Sequence, residues 1–168
     1  YERVLALEPG DLDALRGRAA ALRGAQRLAL ARDAYHELLR AWGPALPSAV
    51  AADAHAALAE IQAVLDDEAS SLAHLERLLA DAPDDFRALQ AVIPMYESQG
   101  LWGKAVRART RLIANLAGDD EARAQELGRL GEALLRHLGD PTAALTAIDD
   151  AISLRSADIA LWQQRLAV

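Results

Sequence analysis

Apolar residues recur along this chain in stripes spaced i, i+4, i+7 and i+8, the spacing of one face of a helix. Five stripes share a form: Tyr1-x-x-Val4-Leu5, Ala31-x-x-x-Tyr35-x-x-Leu38-Leu39, Ser71-x-x-x-Leu75-x-x-Leu78-Leu79, Ala105-x-x-x-Arg109-x-x-Leu112-Ile113 and Ala144-x-x-x-Ile148-x-x-Ala151-Ile152. All but the first open on a small residue, which lets a paired helix approach closely. No extended apolar segment alternates with the period of a strand, so the pattern predicts an all-α protein without a sheet.

Taking Tyr1, Tyr35, Leu75, Arg109 and Ile148 as equivalent gives intervals of 34, 40, 34 and 39 residues, each long enough for a helix pair. Leu89-x-x-Val92-x-x-x-Tyr96 and Leu127-x-x-Leu130-Gly131-x-x-Leu134 form the preceding stripes of two pairs. Gly24, Gly100 and Gly139 mark turns where a helix end favours a residue tolerant of positive φ, and Asp140-Pro141 supplies an N-cap followed by a first-turn proline. The expected organisation is a partial unit at 1–8, units at about 11–42, 49–82, 85–116 and 120–155, and a partial unit at 157–168. The two long intervals are expected to place extra residues in Ala41 to Ser48 and Leu116 to Glu121. Pro94 predicts a kink or helix break near Gln90 to Pro94, because a proline inside a helix removes a backbone bond at roughly 3 kcal/mol.

In register, these stripes resemble the tetratricopeptide-repeat family, whose units pair a Trp-x-x-Leu-Gly-x-x-Tyr helix with an Ala-x-x-x-Phe helix and close on a Pro. Pro9 and Pro83 stand at the closing position and Trp162 at a leading one, while Gln62 and Arg109 depart from its preference for aromatics. The resemblance spans nearly the whole chain. It implies a right-handed α-α superhelical solenoid of antiparallel helix pairs that binds a protein or peptide on a concave face.

Composition narrows the chemistry. Hydrophobic residues make up 52% of the 168 positions, ample for a continuous core. The net charge of -7, without a large Lys/Arg cluster, argues against nucleic acid. The most apolar stretch, Ser48 to Leu65, is interrupted by Asp53, His55 and Glu60, so it reads as a soluble helix and not a membrane span. The lack of cysteine removes disulfides and thiolate chemistry but suits either redox compartment. The compartment stays unknown, with the cytoplasm favoured and the periplasm an alternative because the native N-terminus is not visible.

No catalytic, cofactor or metal motif is found. His36, His55, His74 and His137 are the candidates for a neutral-pH base, yet no two are spaced to share one helix face and H-E-x-x-H is absent. All four read as structural or solvated, with His55 packing on the preceding helix. Asp66-Asp67, Asp84-Asp85 and Asp119-Asp120 fall at turns and read as helix caps. Neither a phosphate-binding loop nor a serine nucleophile elbow occurs.

The resemblance implies that non-core positions of the first helices form a peptide-binding groove. Those positions hold Arg16, Ala20 and Arg23, then Asp53, Ala57 and Glu60, then Arg87, Gln90, Ala91 and Glu97, then Arg129 and Glu132. Ala20, Ala57 and Ala91 would admit a ligand close to the backbone, and the charges would fix its register. The paired asparagines of the chaperone-tail subclass are absent, which argues against that role. The expected function is a non-catalytic interaction scaffold or adaptor; the alternative is a helical-repeat sensing or enzymatic domain for a small ligand. Both ends read as unfinished units of a longer array. Tyr1, Val4, Leu5, Leu161, Trp162 and Leu166 are expected to be partly uncovered there, giving a route to end-to-end self-association.

Overall fold

A computed structural model describes residues 1–168, and every regular element in it is helical. The chain packs as two compact units, Tyr1–Pro83 and Asp84–Val168. The first holds α1 (Glu2–Leu5), α2 (Leu12–Gly24), α3 (Leu28–Trp42), α4 (Ser48–Val64) and α5 (Glu68–Asp81). The second holds α6 (Phe86–Ser98), α7 (Trp102–Asn115), α8 (Asp120–Ala133), α9 (Pro141–Leu154) and α10 (Ile159–Leu166). Within the units, the closest partnerships are α2 with α3, α4 with α5, α6 with α7, and α8 with α9.

Five of the helix starts have a local cause in an aspartate cap. Asp11, Asp67, Asp85, Asp119 and Asp140 accept a hydrogen bond from the backbone N–H three residues on, at 2.7 to 3.1 Å. One residue of each expected acidic pair thus caps a helix, satisfying a donor that would otherwise have no partner. The turns inside the pairs follow one rule. A residue with positive φ stands two places before the second helix: Gln26 (φ 57), Asp66 (φ 58), Gly100 (φ 70) and Gly139 (φ 63). Gly24 was expected to play this part, but it ends α2 with open space around it, and the reversal falls two residues later on Gln26.

The extra residues of the long intervals lie mainly in helices, which corrects their expected placement in the loops. α4 has 17 residues against 13 in α2 and α6. Beyond the 14 residues of α8, a five-residue π-helical turn, Leu134–Leu138, continues the helix to Gly139. Helical continuation satisfies the added backbone groups internally, and the π turn brings Leu134 into the core. The Ala41 to Ser48 segment contributes a short 3-10 turn, Gly43–Ala45.

The small residues opening the second helices are buried: Ala31, Ala105 and Ala144 are 0% exposed and Ser71 is 2%. Ser71 Oγ also donates to the Ala59 carbonyl at 2.9 Å, joining α5 to α4. In the first unit, Leu15, Tyr35, Leu38, Leu58 and Ile61 surround Ala31 and Ala57. In the second, Leu127, Leu130, Ile148, Ile152 and Leu161 surround Ala144 and Ala147. Close packing of α8 on α9 requires Gly131, because a Cβ there would stand 2.6 Å from Ile148 Cγ1 and 3.2 Å from the Ala144 carbonyl. Leu161, expected to be uncovered, is instead buried with its side chain over Gly128. Tyr1, Val4, Trp162 and Leu166 are exposed.

Of the expected kink or break at Gln90 to Pro94, the break does not occur: α6 continues through Pro94. Leu89, Val92, Ile93 and Tyr96 are buried on the same helix, and their packing holds it through the missing bond. Gln90, whose carbonyl has lost its usual N–H partner, and Pro94 are both exposed to solvent.

Candidate functional site

The positions expected to line a groove divide sharply by what surrounds them. In the first unit Arg16, Ala20, Arg23, Asp53 and Glu60 are exposed, and Arg23 pairs with Glu60 at 3.4 Å. Ala57 is 1% exposed inside the core and is unavailable to a ligand, which corrects its assignment to the groove floor. The helical period carries it to the inner side of α4, beside Leu58 and Ile61.

The second unit brings several positions together. Gln90, Glu97 and Arg129 line a cavity of about 310 Å³ with Ile93, Pro94, Arg109, Leu112 and Glu126. A neighbouring cavity of about 240 Å³ shares Glu97, Arg109 and Arg129 and adds Trp102, Glu132, Ala133 and His137. Arg87 and Ala91 are exposed on α6 but line neither cavity.

An ion network that the sequence did not display organises these walls. Arg109 stands in a core slot on α7 and is 5% exposed. Its Nη1 reaches Glu97 Oε1 on α6 at 2.8 Å, and its Nε reaches Glu126 Oε2 on α8 at 2.9 Å. The other Glu126 oxygen accepts from Arg129 Nη1 at 2.6 Å. A buried guanidinium requires such partners, because desolvation of an unpaired charge is costly. Arg129 carries the network outward, with 61% of its side chain exposed. Arg109 in an apolar slot was the signal available in the sequence; Glu126 carried none by itself.

Three of the four histidines meet in space, which their spacing in the sequence did not display. His36 on α3, His55 on α4 and His74 on α5 form one half-buried group, with His55 and His74 Nδ1 atoms 3.0 Å apart. The His36 and His74 ring centres are 5.5 Å apart. His55 thus meets His74 on the following helix. The cluster does not form a three-ligand metal geometry. His137 stacks on Trp102 with ring centres 3.5 Å apart and planes within 2°.

No helix is long and apolar enough to cross a membrane. No family model and no curated protein matches the sequence. Solved structures do resemble it. YrrB, a TPR protein with an unusual peptide-binding site, superposes with a TM-score of 0.62 at 18% identity, covering 100% of this chain and 80% of its own. MamA gives a TM-score of 0.62 at 18% identity, over 93% of this chain and 79% of its own. The N-terminal domain of stress-induced protein-1 from C. elegans gives 0.55 at 15% identity, over 73% and 97%. At these identities the likeness is one of architecture, and the chain has the tetratricopeptide-repeat fold.

Proposed function

We propose that the chain is a non-catalytic scaffold that holds a peptide segment of a partner protein against its first helices. The observation that carries this reading is the 310 Å³ cavity between Gln90, Glu97 and Arg129, walled by the Arg109 ion network. Its polar groups suit a peptide. Arg129 offers an exposed guanidinium, and Gln90 offers a side-chain amide that can both donate and accept. Glu97 and Glu126 are committed to arginine, an arrangement that serves rigidity better than proton transfer. The resemblance to YrrB, itself a peptide-binding TPR protein, supports the same class of ligand.

Peptides selected from a random display library on the intact chain test the reading. Charge reversal of Arg87 with Arg129 is expected to weaken the selected peptides at least tenfold, while reversal of Arg32 with Arg107, on second helices, leaves affinity within twofold. Equal losses from both pairs would point to a diffuse charge effect. Failure to select any peptide would reject the scaffold reading in this form. If small molecules bind the cavity and peptides do not, the sensing alternative replaces it.

A further inference from the structure

The three-histidine cluster of the first unit lies outside the proposed groove and carries a separate inference. His36, His55 and His74 come from three successive helices and meet where α5 packs on α4. At 3.0 Å the two Nδ1 atoms of His55 and His74 share a single proton: one nitrogen donates and the other must be unprotonated to accept. A second proton destroys that hydrogen bond and sets two cations against each other. His36, with its ring centre 5.5 Å from that of His74, adds a third imidazole to the same space.

We propose that this cluster is an acid-sensitive latch, in which proton uptake releases α5 from α3 and α4 in mild acid. Each ring of the close pair has the other imidazole as its hydrogen-bond partner, an arrangement that does not stabilise the charged form. The charged groups acting on His55 are Arg77 and Asp81 of α5 and His36 of α3; those acting on His74 are His55, His36 and Asp67 at the start of α5. Arg32 of α3 acts in turn on Asp67. Burial, then the neighbouring imidazoles, pushes His74 from 6.5 to about 4, and burial followed by Arg77 lowers His55. Asp67 and Asp81 oppose these shifts, but as smaller influences.

The sign follows from proton binding. Between pH 6.5 and about 4 the released histidine takes up a proton that the packed one refuses. The latch is therefore fully closed above 6.5 and loses stability as pH falls through this window. After discounting for partial solvent access, the opening equilibrium of α5 is expected to rise about tenfold between pH 7 and 5.

NMR titration of the imidazole carbons and amide hydrogen exchange of the intact chain, with EDTA present, provide the test. Expected are a His74 midpoint near 4 and a roughly tenfold loss of intrinsic-rate-corrected protection in α5 between pH 7 and 5, with α7 changing less than twofold. His74→Phe, which keeps an aromatic ring but cannot titrate, should diminish the α5 loss, leaving only the part that the lowered His55 contributes. Titration of both His55 and His74 near 6.5 would overturn the proposal, as would an undiminished acid response in H74F or equal loss in α7. If H74F does not fold, the midpoints in the unaltered chain decide.

Discussion

Arg109 Nε lies 2.9 Å from Glu126 Oε2, so a guanidinium occupies a core slot of α7 while its charge is met by a carboxylate of α8. Removing one member of such a buried pair leaves the rest uncompensated. Arg109→Ala is expected to destabilise the chain by about 3 to 5 kcal/mol in urea unfolding, through both the unpaired carboxylates and the lost packing. Arg109→Lys should fall between R109A and the unaltered chain, because one ammonium cannot reproduce the planar fork that reaches Glu97 and Glu126. A midpoint unchanged in R109A would show that the network contributes nothing to stability.

Gln26 and Asp66 hold positive φ at turn positions that are glycine in the other two helix pairs. Gln26→Gly is expected to stabilise by about 0.5 to 1 kcal/mol, since relief of about 1 to 2 kcal/mol of left-handed strain outweighs the chain entropy that glycine adds to the unfolded state. Asp66→Gly should gain less, because aspartate tolerates this conformation better. Differential scanning calorimetry checks both; a lower Tm for Q26G would refute the strain at that turn.

Gly131 and Gly24 predict opposite outcomes for one substitution. Gly131→Ala drives a methyl into Ile148 and the Ala144 carbonyl and should cost about 1 to 3 kcal/mol through overpacking. Gly24→Ala meets open space at the end of α2 and should gain about 0.5 kcal/mol from helix propensity. Thermal unfolding of the two variants distinguishes them, and equal Tm changes would contradict the close approach of α8 and α9.

Burial of Tyr35 raises its phenol above the ordinary value of 10.0, with Arg23 pulling it back and Asp53 and Glu60 pushing it up. The packed phenol keeps its proton where the unfolded one has lost it, so this stabilisation is present below pH 10 and lost as pH rises through the folded value. Tyr35→Phe should flatten that part of the alkaline unfolding curve. Tyr35→Ala should cost about 3 to 5 kcal/mol at neutral pH, because the ring is 5% exposed. An ordinary phenol titration, seen as the ultraviolet change lost in Y35F, would remove the burial argument.

Helix type, order and approximate limits were legible in the sequence because they rest on local quantities. The i, i+4, i+7, i+8 stripes set the buried face, and Asp67, Asp85, Asp119 and Asp140 set the starts. Exposure of the expected groove positions was legible only in part. Arg16, Gln90 and Arg129 reach solvent as their pattern implied, whereas Ala57 turns inward. An alanine satisfies a small exposed position and a tight buried one equally well, and only the rotation of α4 against its neighbours separates the two.

What the sequence determined by itself was a succession of helix pairs, through a period that repeats regardless of which residues later touch. Tertiary structure decided the rest, because those features depend on distances between separate helices. The neighbours across α7 make Arg109 a paired ion, and the packing of α6 carries it through Pro94. His55 and His74 are 19 residues apart, too far for one helix face, yet the return of α5 along α4 brings their nitrogens to 3.0 Å. Spacing within one helix fixes a face, but chemistry shared by several helices is fixed only when they pack.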